Sequence, residues 1–308
     1  MRIAILSRNR KLYSIRRLIE EFQKLNVECH IIDPLECQLV IKGKESRVMY
    51  GSRLLPHFDA IIPRIGASIT EYGLSVVRHF EMQKTVTLNG SRAIAESRDK
   101  MRCLQVLTEA GILVPATVLT HNTRSLKAAV EAVRGFPVVI KILQGTQGVG
   151  VMLVHTPISL GSVLDTLRTL EQDAMIQQFI VEGAGRDLRA FVVGNRVVAA
   201  MKRTAPQGEF RSNIHRGAKA EFVELSQEYK RVAIRAAQTL GLQIAGVDLM
   251  ESHDGPLVIE VNSSPGFEGI EKATQFNVAQ AIAEFTSSKA KQAQRKSKTQ
   301  KKSRRRSL

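Results

Sequence analysis

A small parallel α/β domain followed by a longer, hairpin-containing region of helices and strands is the architecture this 308-residue chain predicts. Three observations carry it. Apolar strand runs and amphipathic helix patterns alternate over the first hundred residues, the signature of a parallel α/β layer. The character of the sequence changes at Ser97. Beyond that point, turns at Gly194-Asn195 and His253-Asp254-Gly255 each separate two apolar runs, the mark of a hairpin.

Taken in order, Arg2-Ile3-Ala4-Ile5-Leu6-Ser7 predicts a strand and residues 12–25 a helix. Residues 29–33 form a second strand, ended by Pro34, and a polar excursion follows. Ala60-Ile61-Ile62-Pro63 is a third strand, turning at Arg64-Ile65-Gly66, and residues 70–83 read as a helix. No G-x-G-x-x-G is present, so the dinucleotide fingerprint is absent. Arg64 closes its strand at the sheet's C-terminal edge, where it faces either a ligand anion or a surface carboxylate.

After Ser97, Arg98-Asp99-Lys100 opens a helix that runs to Glu109, with Gly111 as its stop. A strand (115–119), a helix (125–133) and the strand 137–142 follow. Lys141 lies inside that last apolar run, where a bare ammonium is costly. It meets an anion there, or it snorkels to the surface from an edge strand. Directly after it, Gln144-Gly145-Thr146-Gln147-Gly148-Val149-Gly150 is a glycine-rich loop. Its backbone N–H groups can approach phosphate oxygens without side-chain obstruction. No Gly-Lys-Ser/Thr follows, so it is not a P-loop. A helix (158–170) leads to the strand 174–180, and an irregular stretch, 181–186, precedes the hairpin 187–201. Arg203, Arg211, Asn213, His215 and Arg216 then crowd a polar segment suited to phosphate or carboxylate, or simply solvated. An amphipathic helix (228–240) precedes two final strands, 244–250 and 257–261.

Those two strands hold the most informative chemistry. Asp248 and Glu260 are carboxylates inside apolar runs, and the intervening turn brings them side by side. Alternate residues of a strand share a face, so Glu260 and Asn262 project together. Two carboxylates and an amide are hard oxygen donors suited to magnesium, or they are simply satisfied polar residues at a sheet edge. On the metal reading Asp248→Asn and Glu260→Gln each leave the fold intact.

Composition excludes several classes. No apolar run approaches a membrane span, the N-terminus lacks a signal-peptide layout, and a cytoplasmic protein is the natural reading. Cys29, Cys37 and Cys103 are odd in number and scattered, which argues against a disulfide framework. The net charge is +16. Ten Lys/Arg and no acid lie between Lys289 and Leu308, while the rest of the chain carries 35 basic and 29 acidic residues. With so little to bury, this tail is expected to be disordered, either holding phosphate backbones or acidic segments or merely solubilising the chain.

The order of these parts closely resembles the ATP-grasp ligases. Ile62-Pro63-Arg64-Ile65-Gly66, Gly145-Thr146-Gln147-Gly148-Val149-Gly150, Phe210-Arg211-Ser212-Asn213-Ile214-His215-Arg216-Gly217 and Asn262-Ser263-Ser264-Pro265-Gly266 are similar to the RimK type in particular. The resemblance covers about residues 1–286. It implies an N-terminal α/β domain (1–97), a two-lobed α+β ATP-grasp domain (98–287) hinged near 177–187, and the basic tail (288–308). It further implies ATP and two magnesium ions, for which manganese substitutes. Lys100 and Lys141 would contact phosphates under the loop of Gly145, Gly148 and Gly150. Adenine would sit at Gln177, Gln178, Phe179 and Ile180, with Gln177 and Ile180 offering a main-chain carbonyl and N–H. Asp187 would hold the ribose, Arg211, Ser212 and Asn213 would lie near the triphosphate, and Asp248, Glu260 and Asn262 would ligate the metal. Arg203 and Arg211 are the catalytic candidates. Gln178 departs from the glutamate expected there.

The implied reaction adds L-glutamate to the acidic C-terminal tail of a small-subunit ribosomal protein through an acyl phosphate, in a homo-oligomer, expected to be a tetramer. Another amino acid ligase acting on a small-molecule or carrier-protein acid, or a non-catalytic ribosome- or RNA-binding factor, are the competing readings. Intact Lys141, Asp248, Glu260 and Asn262 argue against the last.

Overall fold

Strand β1 (Arg2–Leu6) shows why the N-terminal layer forms. Its Ile3 and Ile5 enter one apolar cluster, while Ala4 and Leu6 enter another on the opposite face. Period-2 side chains that are apolar on both faces demand a sheet covered on both sides. The structure is a computed structural model that describes residues 1–121, 125–143, 150–214 and 217–306. After β1 come α1 (Tyr13–Lys24), β2 (Glu28–Ile32), β3 (Cys37–Lys42), β4 (Glu45–Tyr50), β5 (Arg53–Leu54), β6 (Ala60–Pro63), α2 (Thr70–Met82) and β7 (Val86–Thr87). The sheet order is β2-β1-β6-β7, all parallel. Helix α1 seals one face with Ile15, Leu18 and Phe22, and α2 seals the other with Val76, Val77 and Phe80. The polar excursion is a separate antiparallel sheet, β3-β4-β5, whose Cys37 and Val48 join the second cluster.

Helices α3 (Ser91–Arg98) and α4 (Lys100–Glu109) meet at Asp99, whose carboxylate caps α4 by accepting from Arg102 N at 3.0 Å. The first lobe then runs β8 (Thr117–Leu119), α5 (Leu126–Ala132), β9 (Val138–Ile142), β10 (Val151–Val154), α6 (Pro157–Thr169) and β11 (Ala174–Gln178). Its antiparallel sheet has the order β10-β9-β11-β8. Val138, Ile140, Ala174 and Ile176 pack beneath α5 and α6. The alternation turns Val139, Lys141, Met175 and Gln177 to the other face, with Lys141 opposite Met175 and Val139 opposite Gln177.

The second lobe comprises β12 (Arg186–Val193), β13 (Arg196–Thr204), β14 (Lys219–Phe222), α7 (Gln227–Thr239), β15 (Ile244–Met250) and β16 (Leu257–Asn262), in the order β14-β13-β12-β15-β16. Leu188, Ala190, Val192, Val247 and Leu249 face α7. The opposite face contributes Phe191, Val193, Met201 and Ile244 to the cluster holding Ile3 and Ile5, so this lobe and the N-terminal domain share a core. Helices α8 (Glu268–Thr274) and α9 (Val278–Arg306) complete that cluster through Ile270, Ile282 and Ala283.

The basic tail departs from expectation. Residues 288–306 are not disordered; they continue α9 to Arg306. Alanine, lysine, arginine and glutamine are strong helix formers, and no glycine or proline follows Gly269. The docked first turns supply the costly nucleus. Ala290 is fully buried, and Gln294 Nε2 donates to Asp59 Oδ1 at 2.7 Å, so the docked part extends past residue 288.

Candidate active site

The floor of the site lies on one face of the second lobe. The antiparallel register sets Asp248 directly opposite Glu260 and Gly246 opposite Asn262. A register shift next to Asp248 pairs Leu249 with Val258 and leaves Ile259 as the extra residue of a bulge. The bulge decides where Glu260 points. Plain alternation would put Glu260 on the same side as Val258, which packs under α7; the extra residue turns Glu260 to the opposite face, with Asn262.

Asp187 and Arg189 of β12, Arg203 of β13 and Asp248 of β15 share that face and form one network. Arg189 grips Asp248 with two bonds of 2.6 Å, from Nε to Oδ1 and from Nη2 to Oδ2. Arg203 donates Nε to Asp187 Oδ1 at 2.6 Å and Nη2 to Asp187 Oδ2, and it reaches Asp248 Oδ2 at 3.0 Å. Ser212 Oγ donates to Asp187 Oδ2 at 2.6 Å. Burial opposes ionisation of Asp248, but Arg189 and Arg203 more than offset it and hold its pKa below the ordinary value. Burial pushes Asp187 upward despite Arg203. Arg203 loses stabilisation to burial yet is raised on balance by Asp248 and Asp187.

Glu260 is different. It has solvent on one side and protein crowding the rest, and no hydrogen-bond or ion-pair partner among the described residues. Burial, reinforced by Asp248, raises its pKa, against the lowering pull of Arg189, Lys141 and Lys100. An unpaired carboxylate facing an open cleft is the behaviour of a ligand group. Asn262 Nδ2 is likewise buried without a partner. Two carboxylates and an orphaned amide on one face fit a hard divalent cation that retains water. Among the described residues no group of three His, Cys, Asp or Glu converges, so the set here rests on two carboxylates and the Asn262 amide.

The first lobe brings Lys141 toward this floor from β9. Burial lowers its pKa to about 8, with Lys100 adding to the fall and Glu260 and Asp248 opposing it. Lys100, in the first turn of α4, donates to Leu143 O at 2.8 Å and is lowered by burial as well. Arg211 bridges the lobes: Nε and Nη2 bind Glu209 at 2.9 and 2.7 Å, and Nη1 donates to Val151 O at 3.2 Å. Gly150 sits at φ +73°, where a Cβ would stand 2.7 Å from the Ile142 side chain, so glycine is required as the chain re-enters β10. Gly145 and Gly148, with the rest of 144–149, lie outside the described residues, as do His215 and Arg216.

Strand β11 ends at Gln178, and Phe179 and Ile180 lie beyond its ladder. Gln177 is buried and donates Nε2 to Thr117 Oγ1 at 2.8 Å; Gln178 Oε1 accepts from Ala116 N at 3.3 Å. Both side chains thus brace β11 against the segment leading into β8, and the Gln178 departure falls on a bracing group. A cavity of about 170 Å³ borders Gln178, Ile180, Ala116 and Leu257, apart from the cationic floor. The three cysteines are free, and burial pushes each thiol up to about 12, so none is a thiolate nucleophile.

Residues 1–94 match the family model described as the RimK PreATP-grasp domain, and residues 97–286 match the RimK-like ATP-grasp domain. The chain belongs to the RimK-like ATP-grasp family. A Shewanella sp. (strain W3-18-1) relative called probable alpha-L-glutamate ligase 2 is 50% identical over 285 residues, 92% of this chain and 95% of its own length. A Vibrio vulnificus (strain YJ016) probable alpha-L-glutamate ligase is 50% identical over 291 residues, 94% and 97% of the two chains. The ATP-grasp ligase PsnB, solved with minimal precursor, Mg and ADP, shares the fold with a TM-score of 0.73 at 18% identity, covering 94% of this chain and 98% of its own. Like other RimK-like ATP-grasp enzymes, the chain is an ATP-dependent carboxylate–amine ligase. Of the RimK-like site, sequence reasoning missed Arg189. Its signal was an arginine two residues after Asp187, hence on the same strand face, inside an apolar run.

Proposed function

We propose that this ligase adds L-glutamate to the C-terminal glutamate of a small-subunit ribosomal protein. The observation that carries the reading is the 50% identity, over nearly the whole chain, to relatives called probable alpha-L-glutamate ligases. The cation-rich cleft around Asp248 and Glu260 fits anionic reactants.

A carboxylate is a poor electrophile because its leaving group is bad and its charge repels nucleophiles. Its oxygen therefore attacks the γ-phosphorus of ATP, ADP departs, and an acyl phosphate remains. The amino group of glutamate attacks the acyl carbon, phosphate leaves, and the amine sheds a proton. Lys141 and Lys100 hold phosphate oxygens, and the backbone N–H groups of Gly145, Gly148 and Gly150 are the further phosphate donors of this reading. Adenine lies at Gln177, Gln178, Phe179 and Ile180, and Asp187 takes the ribose. Arg211, Ser212 and Asn213 flank the triphosphate. Two magnesium ions, or manganese in their place, bound by Asp248, Glu260 and Asn262, would neutralise charge on the transferring phosphoryl group. Arg203, the other catalytic candidate, commits Nε and Nη2 to Asp187 and Nη2 to Asp248 as well, and in this reading it acts by fixing those two carboxylates.

Incubation with magnesium-ATP, isotopically labelled glutamate and a ribosomal protein with an acidic C-terminus should release ADP and add glutamyl increments detectable by mass spectrometry. ADP release that needs lysine rather than glutamate would transfer the chain to another amino acid ligase activity.

A cytoplasmic setting, a homotetramer and a ribosomal RNA contact through the tail belong to the same proposal. No helix among the described residues is long and apolar enough to cross a membrane. Because Ala290 and Gln294 dock on the core, the informative truncation ends the chain at Gln294. It removes eight of the ten tail cations. If about half of those reach single-strand phosphates, log affinity for ribosomes falls with log salt by a slope of roughly −3 from this segment. The truncated chain should lose that slope and keep its turnover on a short acidic peptide. Equal slopes for the two chains would mean that the tail only solubilises.

A further inference from the structure

Strand order reverses once in the N-terminal sheet, between β1 and β6: β2 lies beyond β1, and β7 beyond β6. In open parallel sheets the crevice outside the strand ends at such a reversal is where ligands bind. Arg64 stands at that point, its backbone N–H donating to Leu6 O at 2.9 Å as the last rung between β1 and β6. Its guanidinium donates Nη2 to Ser14 Oγ at 3.2 Å and lies over the Phe267 ring, 5.8 Å from the centroid. No carboxylate among the described residues pairs with it. Glu271, which follows Phe267 by one helical turn, is taken by Tyr13 at 2.7 Å and Arg17 at 3.5 Å. Protein crowds the group enough to lower its pKa to about 10. A sheltered arginine without a counter-ion costs free energy that a bound anion recovers.

The position ties this arginine to the reaction. Ser264 Oγ reaches Pro63 O at 3.5 Å, joining the end of β6 to the loop that follows Glu260 and Asn262. Ser263 and Arg64 line the same void of about 10 Å³, so the two segments are packed together. The nucleotide's wall comes from the first lobe through Lys141. Arg64's wall comes from the N-terminal domain, which leaves it for one of the two carboxylate reactants. A protein acceptor has the rest of its chain to hold it, whereas the free amino acid supplying the amine depends on anchors for its own charges.

We propose that Arg64 binds the α-carboxylate of the amino acid that supplies the amine. This rests on the ligase reading above, with glutamate as that amino acid. The α-carboxylate is one carbon from the reacting nitrogen, so anchoring it in a fork of two N–H donors sets the attack direction. Ser14 orients the guanidinium and Phe267 holds it flat.

The test compares wild type, Arg64→Met and Arg64→Lys with L-glutamate and with its α-amide, reading kcat and KM for each amine and KM for ATP. Wild type should prefer glutamate to the α-amide by about a hundredfold, the scale of a charge-assisted pair left unmade. Arg64→Met should raise the KM for glutamate about as much, leave the KM for ATP within about twofold, and erase the preference over the α-amide. Arg64→Lys, which keeps the charge without the fork, should fall between. If Arg64→Met retains the wild-type preference, or raises both KM values together, the assignment is overturned; should Arg64→Met not fold, the same comparison is read from Arg64→Lys. If wild type uses a different amino acid, the glutamate reading fails. The site then stands or falls on whether Arg64→Met erases that amino acid's own α-carboxylate preference.

Discussion

Glu260→Gln should abolish ligation and raise the melting temperature of the nucleotide-free protein, whereas Asp248→Asn should abolish ligation and lower it. The two carboxylates face each other on adjacent strands, yet their surroundings are opposite. Glu260 lacks a partner among the described residues and is pushed above its usual pKa by burial and by Asp248, so neutralising it relieves strain. Asp248 balances Arg189 and Arg203, and its removal leaves Arg189 without a counter-charge and Arg203 with Asp187 alone. Breaking such a buried pair costs about 3–5 kcal/mol. The arrangement therefore puts the stability cost on Asp248→Asn and not on Glu260→Gln. Activity should fall by about a thousandfold or more in each, the scale of losing several kcal/mol of phosphoryl-charge stabilisation.

The pH dependence separates them further. Glu260 has a folded-state pKa above its unfolded one, so its contribution is present at low pH and lost as pH rises through the folded value. Asp248 has a depressed folded pKa, so its contribution is present above the unfolded value and lost as pH falls through the folded one. Melting curves of both variants and of wild type across the acidic range would show this. A less stable Glu260→Gln, or full ADP release by either variant, would remove the metal assignment.

How far the site was legible depended on whether its signal was local. The turn at His253-Asp254-Gly255 announced the β15–β16 hairpin, and the register that sets Asp248 opposite Glu260 followed from it. The bulge at Ile259 did not announce itself, because a shift of register depends on which neighbour each strand packs against. Lys141 could be read from its apolar run. Arg189 carried the same kind of signal, but the carboxylate it holds is 59 residues away, so its run alone does not name the partner. The excursion at 34–59 hid a small sheet whose strands mix polar and apolar residues weakly. In the tail, composition pointed to disorder, but helix propensity and the docking of Ala290 prevailed through at least the first turns.

Lys141→Met should reduce ligation by about a hundred- to a thousandfold while leaving the fold intact or slightly firmer. In the proposed arrangement the ammonium sits beneath the phosphates, in a crowded site where a fixed positive charge acts more strongly than in water. Methionine fills a similar volume on β9 without the charge, and it spares the protein the cost of sheltering an ammonium. That cost fixes the sign of the pH effect. Lys141 has a folded-state pKa of about 8 against an ordinary 10.5, so between those values the unfolded chain binds the proton more readily. Stability of wild type without nucleotide should therefore rise with pH across that window, and Lys141→Met should lack this component. Nucleotide binding runs the other way. Phosphates favour the protonated amine, so ATP affinity of wild type should weaken as pH passes about 8, while the variant binds weakly and with little pH dependence. Calorimetric titration of both proteins with ADP from about pH 7 to about pH 9.5 would check this. A flat wild-type profile, or a variant that keeps more than about a tenth of its turnover, would place Lys141 outside the phosphate site.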